Sequence, residues 1–406
     1  MRKKAEIIPT REEAKAELVK AKEILDSYGI ENTIDPEAPI DWVDYIDKAQ
    51  DRIGKSGSGQ RSGSIILTDS YPINRTLYLD AHVTLEGSVR AKWHMGTSHG
   101  FYIDGDDFDG EFMLEWRQPT SRHRGSSVHN YSNFGAGIYQ VHVQSKSGTS
   151  GVYFRGAQQS CRVDNLIVRG FGENATGIQL AGDTHTIRDT FSDAAKSGQK
   201  SVTREGSTGF KFHGRVYSLA LNNITVHNCE TGMEAGDAHQ VRVTNYETEL
   251  TTLPIKITWQ AQALDIKSSS FRHTDKIIDI TKVRWPKEFR INIEGVMSDH
   301  NNGIIKYPTD SKSTVFEEYT TKGKLFDITL ESDSNKTGLT LTDNRKLRLD
   351  SHNTAPIATM GSSFSTFTAT NDTGSHPAAH ICSGLPNPII DPPTTARPIT
   401  PDRGSC

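Results

Sequence analysis

Long apolar runs are missing from this sequence, and hydrophobic residues are scarce for a chain of 406 residues. No run approaches the roughly 18 apolar residues that a membrane-spanning helix needs, so we expect no membrane span. Hydrophobic residues make up 34% of the chain, and its mean hydropathy is -0.55. This composition is typical of a disordered chain, or of an elongated repeat structure with much surface per residue.

An excess of one charge is also lacking, because 46 Lys and Arg residues stand against 50 Asp and Glu residues. The formal net charge of -4 gives no electrostatic reason to expect a nucleic acid as the main partner. The first residues are charged and no apolar segment follows them, so we expect no Sec-type signal peptide.

Cysteines are few, and none of the four lies in a Cys-x-x-Cys pattern. They are Cys161, Cys229, Cys382 and Cys406. Without such a pattern, and without a recognisable cofactor-binding motif, the sequence predicts neither a metal site nor a cofactor. Cys382 and Cys406 could pair around a Pro-rich tail in an oxidising medium, but we favour free thiols.

Two helices are predicted before the first strands, in an N-terminal region that covers residues 1–61. Thr10 and Glu13 are spaced as a capping box, and Gly29 stands where a helix would stop, so residues 10–28 are predicted to be helical. Residues 41–53 are predicted to form a second amphipathic helix, and a Gly/Ser-rich stretch then leads into β-rich sequence.

A glycine-bounded motif recurs through the middle of the chain. Each copy has a glycine and then about four residues that alternate in direction, as in Gly-Val-Tyr-Phe-Arg-Gly at 151–156. Copies begin at Gly151, Gly177, Gly209 and Gly232, at separations of 26, 32 and 23 residues. Periods of about 20 to 50 residues indicate a solenoid, and the longest step predicts a polar inserted loop at 192–207.

A second strand lies between these copies and carries a recurring polar residue. Asn165, Asn223, Asn245 and Ser268 occupy the same position in it. Stacked Asn side chains can hydrogen-bond along a solenoid and satisfy one another when they are buried. The agreement between copies predicts a parallel β solenoid over residues 62–331.

The segment 63–87 contains three short β-rich runs, at 64–67, 76–79 and 83–85, after a predicted helix. This order resembles the first coil of pectate-lyase-like proteins and phage tailspikes, in which a helix caps the open end. The Asn ladder is a feature of the same families, although the turn at 68–71 lacks their usual Pro and Gly. The resemblance covers about two thirds of the chain. It implies an all-β fold, a right-handed parallel β-helix solenoid with N-terminal capping helices and an irregular C-terminal region.

Beyond residue 331 the repeat fades. Residues 332–381 are predicted to form a small C-terminal β region, with a hairpin around Asp343 and Asn344. Residues 382–406 are predicted to be a Pro-rich flexible tail.

Strand alternation assigns side chains to the outer surface of the glycine-bounded strand. The outer residues predicted to bind substrate are Tyr102, Tyr153, Arg155, Gln179, Lys211 and Lys256. Aromatic faces stack on sugar C–H surfaces, and charged or amide groups bind hydroxyls and carboxylates, so this row suits a polysaccharide. The alternative is a solvated sheet face whose charges compensate one another.

On the second strand, His227, Glu249 and Arg272 are predicted to be consecutive outward neighbours. A carboxylate beside a His and an Arg can do acid–base work, because burial and opposite charge tune both pKa values. Outward carboxylates about 5 to 9.5 Å apart would suit glycoside hydrolysis, and a base beside a cation would suit elimination. The alternative is a salt-bridge ladder. The candidate catalytic residues are Glu249, Glu247, His227, Arg272, Glu234 and His213.

The sequence is compatible with three functions, and it does not decide whether the protein is an enzyme. We prefer a glycan-binding spike similar to phage tailspikes, which binds or depolymerises a polysaccharide. The resemblance then implies a homotrimer in a virion or outside the cell. The first alternative is a free-standing polysaccharide lyase or glycoside hydrolase, although the pectate-lyase motifs are not found. The second is a non-catalytic structural or adhesion solenoid.

Overall fold

The computed structural model describes most of the chain up to residue 274 and short strands beyond it. The described residues are 4–53, 62–92, 95–105, 107–117, 137–155, 161–181, 184–196, 199–272, 274, 278–279, 289–294, 297–299, 326–328, 337–342, 346–348, 358–360 and 364–369.

Two helices lie near the start, α1 (Arg11–Ser27) and α2 (Trp42–Ile53), close to their predicted bounds. The capping box of α1 is formed, because the Glu13 N–H donates to Thr10 Oγ1 and the Thr10 N–H donates to Glu13 Oε2. A single residue of α1, Ala14, is buried, so this helix is mostly exposed.

Most of the strands are only three to six residues long. They are β1 (Lys4–Ile8), β2 (Ser62–Leu67), β3 (Ser70–Ile73), β4 (Arg75–Leu79), β5 (His82–Gly87), β6 (His99–Ile103), β7 (Asp109–Trp116), β8 (Gly137–Tyr139), β9 (Val141–Gln144), β10 (Ser150–Phe154), β11 (Cys161–Asp164), β12 (Ile167–Arg169), β13 (Thr176–Ala181), β14 (Thr184–Asp193), β15 (Arg204–His227), β16 (Cys229–Glu249), β17 (Leu253–Lys267), β18 (Ser270–Arg272), β19 (Ile278–Asp279), β20 (Phe289–Glu294), β21 (Met297–Asp299), β22 (Phe326–Ile328), β23 (Thr337–Thr342), β24 (Lys346–Arg348), β25 (Ala358–Met360) and β26 (Phe364–Ala369).

The chain visits three stacks of parallel strands in turn, which we call faces 1, 2 and 3. Face 1 holds β1, β2, β5, β8, β11 and parts of β14 to β17, and then β20, β23 and β26. Face 2 holds β3, β6, β9, β12, the last residues of β14, β15 and β16, and then β18, β21 and β24. Face 3 holds β4, β7, β10, β13, the first halves of β15, β16 and β17, and then β19, β22 and β25. The fold is therefore a mostly β, parallel-stranded solenoid.

The repeat has three strands, where the sequence pattern suggested two. The predicted second strand is a corner in which Asp164 ends face 1, Asn165 turns, and Ile167 begins face 2. Asn165, Asn223, Asn245 and Ser268 share this corner, as predicted, with φ between 50° and 58°. Only Asn and similar short polar residues adopt this left-handed backbone readily, apart from Gly.

The corner ladder is only partly the predicted one. Asn245 Nδ2 donates to Asn223 Oδ1 at 3.4 Å, and Asn223 Nδ2 donates to Asp189 Oδ1 at 2.5 Å. Asn223 and Asn245 are exposed, so the ladder is not the buried one that we expected. Their recurrence is therefore explained by the backbone conformation of the corner.

Glycines recur on face 3 because the coils approach one another closely there. A Cβ atom at Gly177 would lie 2.9 Å from the carbonyl oxygen of Gly209, and one at Gly209 would lie 2.7 Å from that of Gly232. A Cβ at Gly232 would lie 2.7 Å from the carbonyl oxygen of Pro254. Each glycine thus makes room for the backbone of the next coil.

Apolar side chains from successive coils fill the interior, as alternation predicted. The inward row of face 3 contains Leu77, Leu114, Val152, Ile178, Phe210, Met233 and Ile255, and each is fully buried. On the next inward row, the Trp116 and Phe154 rings stack at 4.1 Å. The packing of these inward rows fixes the register between strands, and the register determines which outward side chains are neighbours.

Helix α2 packs against the first strands through its apolar face. Its buried residues are Trp42, Val43, Ile46, Ala49, Gln50 and Ile53. The buried Gln50 amide donates to the Tyr78 carbonyl and accepts from the Asp80 N–H, both at 2.9 Å. Helix α2 therefore satisfies backbone groups at the edge of β4 that would otherwise need water.

The C-terminal strands differ from the prediction. β23 pairs in parallel with β20 and β26, and β24 pairs in parallel with β21, so 337–350 is not a hairpin. The apolar–polar alternation fitted either arrangement, but the parallel one continues the solenoid. The boundary near residue 331 stays a prediction, and the tail with Cys382 and Cys406 lies outside the described residues.

Candidate functional site

The predicted site residues lie on two different faces. Face 2 holds His227, Glu247, Glu249 and Arg272, whereas Glu234 and His213 lie on face 3. The outward row of face 3 contains Tyr78, Glu115, Tyr153, Gln179, Lys211, Glu234 and Lys256, with Arg155 beside it. The structure therefore brings together four of the six candidate catalytic residues.

Tyr102 was assigned to the wrong row. It lies on face 2, opposite Gln144 and one coil after Pro72, in the row that leads to His227 and Glu249. Its glycine-bounded segment resembles the face 3 copies because Gly100 also meets a neighbouring backbone, at the carbonyl of His142. The Tyr102 hydroxyl accepts a hydrogen bond from Arg11 Nη1 at 3.1 Å, so this tyrosine is tied to α1.

The centre of the candidate site is a cluster of four outward side chains at the end of face 2. His227 Nε2 lies 4.0 Å from Glu249 Oε2, and Arg272 Nη1 lies 3.7 Å from Glu247 Oε1. The side chains of His227 and Glu249 are 20% and 27% exposed, although the His227 Nε2 atom itself is buried. We call these four residues the face 2 cluster.

Burial sets the protonation of this cluster. Burial raises the pKa of Glu249; Arg272 opposes that shift, and the carboxylates of Glu247 and Asp193 add to it. Burial, together with the guanidinium groups of Arg169 and Arg272, lowers the pKa of His227 to about 4. His227 is therefore neutral at neutral pH, and Glu249 holds its proton to a higher pH than a free glutamate does.

A buried ion pair lies in the same row, one coil before His227. Arg169 Nη2 lies 3.3 Å from Asp193 Oδ2, and both side chains are less than 5% exposed. Asp193 Oδ1 also accepts hydrogen bonds from Asn228 Nδ2 at 2.8 Å and from the Ala195 N–H at 2.9 Å. Sequence reasoning missed Asp193 because the inserted loop follows it directly and interrupts the spacing that would have placed it in the row.

An aromatic side chain lies beside the cluster, and the sequence analysis did not single it out. The ring of Phe191 meets the His227 imidazole edge to face, at 5.0 Å and 79°. Phe191 lies in the neighbouring outward row, one coil before Thr225 and two coils before Glu247. The face 2 cluster and Phe191 thus bring carboxyl, imidazole and guanidinium groups and an apolar ring together over four successive coils.

The predicted inserted loop borders this cluster. It lies between the end of β14 at Asp193 and the start of β15 at Arg204, so it is shorter at both ends than the predicted 192–207. Thr203 Oγ1 donates to the carbonyl of Leu250 at 2.9 Å, one residue after Glu249. The end of the loop is therefore attached to the turn that follows Glu249.

Face 3 shows partial charge compensation. Arg155 Nε lies 2.7 Å from Glu115 Oε1, and Lys256 Nζ lies 3.2 Å from Glu234 Oε2. Tyr153 is only 8% exposed, with the Arg155 guanidinium 4.9 Å above its ring. The pairing of Glu234 favours the salt-bridge interpretation at that position over a catalytic role.

Two general features of the described residues complete the site description. No group of three or more His, Cys, Asp and Glu side chains in this part of the chain is arranged to hold a metal ion. Among the described helices, none has the length and apolar character that crossing a membrane requires. Cys161 and Cys229 are buried free thiols whose pKa values are raised by burial.

Comparison with known proteins gives distant similarities. No protein-family model matches the chain, and no curated protein matches it significantly. Among solved structures, the chain is similar to DFA-IIIase from Arthrobacter chlorophenolicus A6 in complex with GF2, with 11% identity and a TM-score of 0.41 over 85% of this chain and 89% of that chain. It is also similar to the catalytic unit of a thermostable GH87 alpha-1,3-glucanase from Streptomyces thermodiastaticus strain HF3-3, with 13% identity and a TM-score of 0.32 over 89% of this chain and 66% of that chain. At these TM-scores neither similarity decides a function, so the function must be argued from the side chains.

Proposed function

We propose that this protein binds a polysaccharide along face 2 and cleaves it at the face 2 cluster. The observation that carries the proposal is the environment of Glu249. Its carboxyl is reachable from solvent, has a raised pKa and lies 4.0 Å from a neutral imidazole. A carboxyl that keeps its proton is what protonation of a glycosidic oxygen requires.

Hydrolysis assigns separate roles to the two glutamates. Glu249 donates its proton to the oxygen of the leaving sugar. Glu247, beside the Arg272 guanidinium, acts as the carboxylate that activates water or attacks the anomeric carbon. Two residues along a strand separate the Cα atoms by about 6.6 Å, which suits the carboxyl spacings of about 5 to 9.5 Å found in glycosidases. Phe191 offers an apolar ring on which a sugar can stack.

A second reaction on the same cluster is elimination from an acidic sugar. Its supporting observation is the lowered pKa of His227, which keeps the imidazole neutral and able to take a proton at neutral pH. The substrate carboxylate would then lie against Arg272, because a nearby cation stabilises the charge that develops on proton removal. Burial makes His227 a weak base, so we place hydrolysis first.

The wider assignment is a tailspike-like depolymerase or receptor-binding spike. It includes a right-handed solenoid, closure of its first coil by α2, a homotrimeric assembly and a place in a virion or outside the cell. The packing of α2 on β1 to β4 supports the closure, and the order of helix and strands supports the resemblance. The alternatives are a free-standing enzyme and a non-catalytic adhesion solenoid.

The test is incubation with a panel of anionic and neutral bacterial and plant polysaccharides. Reducing ends report hydrolysis, and absorbance near 235 nm reports the unsaturated ends that elimination leaves. We expect reducing ends without absorbance, and a loss of at least about 100-fold in the Glu249→Gln variant. The matched control is Glu173→Gln, which changes an exposed glutamate away from the cluster.

Three results would contradict parts of the proposal. Rising absorbance would replace hydrolysis with elimination. Full activity in Glu249→Gln would remove this residue from the chemistry. If no polysaccharide yields a product, the protein is interpreted as a binding or structural solenoid without catalytic activity.

A further inference from the structure

We propose that face 3 carries a second, non-catalytic site that holds a carboxylate- or sulfate-bearing glycan beside Arg117 and Arg155. The inference goes beyond the proposed cleavage at face 2. It rests on the proposed function only in that the ligand is a glycan.

Two arginines occupy equivalent positions on neighbouring strands of face 3. Trp116 pairs with Phe154, so the residues that follow them, Arg117 and Arg155, are neighbours with Cα atoms about 4.8 Å apart. The backbone N–H of Arg117 donates to the Leu79 carbonyl, and that of Arg155 donates to the Trp116 carbonyl. The sheet therefore places the two arginines on neighbouring coils.

Each guanidinium also lies over a tyrosine ring. Arg117 Cζ lies 4.9 Å from the centre of the Tyr78 ring, and Arg155 Cζ lies 4.9 Å from the centre of the Tyr153 ring. Cation–π contacts of this kind order a long side chain without neutralising its charge. Two ordered cations can therefore bind an anion at a lower entropic cost than two free arginines can.

Not every described cation of this surface is paired with a carboxylate, although Asp44, Asp47 and Asp109 line the cleft beside Arg117. Glu115 pairs with Arg155, but no carboxylate among the described residues lies within 4.0 Å of Arg117, although Asp80 precedes it in the row. Lys211, two coils beyond Arg155, makes no ion pair within the described part of the chain either. A bound anion can therefore pair with Arg117, whereas Arg155 is already compensated by Glu115.

The surface also has the shape that a sugar needs. The residue after Arg155 in its row is Ala181, whose small side chain leaves space beside the guanidinium. A cleft of about 270 Å³ opens between α2 and face 3 at Arg117 and Tyr78. Asp47 and Asp109 are among its lining residues and can accept hydrogen bonds from sugar hydroxyls. The anionic group of the glycan would lie on the arginines, and a neighbouring sugar ring in the cleft.

The test measures binding in a Glu249→Gln background, so that cleavage does not interfere. The probes are polygalacturonate, which carries carboxylates, dextran sulfate, which carries sulfates, and neutral dextran. We expect the dissociation constant for one or both polyanions to rise roughly tenfold in Arg117→Gln, because one charge-assisted contact is lost. Arg117→Lys, which keeps the charge, should lose less.

A second variant tests the same surface without removing a cation. Ala181→Glu puts a carboxylate next to Arg155, where it would occupy the anion position, and we expect a similar loss of polyanion binding. The control is Arg162→Gln, which removes an exposed arginine from face 1. Thermal unfolding midpoints check that each variant is folded.

The outcomes separate this site from the face 2 proposal. Polyanion binding that is weakened by Arg117→Gln and not by Arg162→Gln supports the face 3 site, whether or not any polysaccharide is cleaved. Unchanged binding in both Arg117→Gln and Ala181→Glu overturns it, and so does an equal loss in Arg162→Gln. A parent protein that binds neither polyanion overturns it as well. A difference between polygalacturonate and dextran sulfate shows which anionic group is recognised.

Discussion

The charged and polar residues of face 2 differ mainly in the solvent exposure of their side chains. Arg169 and Asp193 are shielded, His227 and Glu249 are partly reachable, and Arg272 is the most exposed of the five, at 42%. This gradient explains why neighbouring groups in one row hold different protonation states. Two predictions follow from it.

The first prediction concerns Arg272 and the pH dependence of cleavage. Glu249 must be protonated to act as the acid, so activity falls as pH rises through its raised pKa. The Arg272 guanidinium opposes that raised pKa, so removing it should raise the pKa further. We expect the alkaline limb of the pH profile of kcat/KM to move to higher pH in Arg272→Gln, with a lower maximum. A limb that moves to lower pH would exclude Glu249 as the acid, and Arg162→Gln should leave the limb in place.

The second prediction concerns His227 and stability. Its pKa is about 4 in the folded chain and about 6.5 in the unfolded chain, so the unfolded state takes up the proton first as pH falls. The stability due to the neutral imidazole is fully present above pH ~6.5 and is lost progressively toward pH ~4. Between pH 7 and pH 5, the parent protein should lose about 2 kcal/mol more than His227→Asn does.

Urea unfolding at both pH values measures this difference. Glu249 and Asp193 are present in both proteins, so the comparison isolates the imidazole. An equal loss of stability in the two proteins would show that His227 titrates normally.

At the scale of elements, glycine positions decide whether coils can stack. Gly209 lies beneath the Gly232 carbonyl, whereas a Cβ at Gly236 would meet nothing within 4 Å. We predict that Gly209→Ala lowers the free energy of unfolding by about 1 to 3 kcal/mol, because the added methyl group forces two coils apart. Gly236→Ala is the matched control and should change stability little. Equal stability of the two variants would mean that the coils adjust to the methyl group.

The glycine-bounded strand was also the element that the sequence predicted best. Its apolar alternation gave the inward row and most of the outward row of face 3, since both follow from a period of two. The corner at Asn165 was predicted to be the middle of a strand, because the apolar–polar alternation continues through a residue with positive φ. The third strand of each coil was missed for this reason.

Tyr102 and Asp193 show the remaining limit of sequence reasoning. Tyr102 was misplaced because Gly100 imitates the face 3 glycines, and Asp193 was missed because an insertion follows it. Both errors concern which strands are neighbours. The apolar–polar alternation within one strand carries no information about its neighbours. The cluster of His227, Glu249 and Arg272 was predicted because three uninterrupted coils keep a nearly constant length there.

At the scale of the whole molecule, the described exposed apolar side chains are concentrated near the start of the chain. Ile7, Ile24, Tyr28 and Ile30 are between 47% and 74% exposed, on or beside β1 and α1. The proposed homotrimer would give such side chains a place to pack. We predict a particle mass of three chains of 44.9 kDa by light scattering. A mass of one chain at micromolar concentration would contradict the trimer and leave both proposed glycan sites unaffected.

The stacked glycines of face 3 also limit how such a protein can be altered, in the laboratory or by evolution. One residue added inside a strand shifts every later side chain, and places a bulky group where a glycine makes room for the next carbonyl. A whole extra coil keeps each glycine in place, and so does a longer corner. The loop after Asp193 shows that a corner accepts added residues without loss of pairing between the strands around it. Under the proposed function, the corner loops are therefore the part of this scaffold that can change sugar specificity while its interior stays the same.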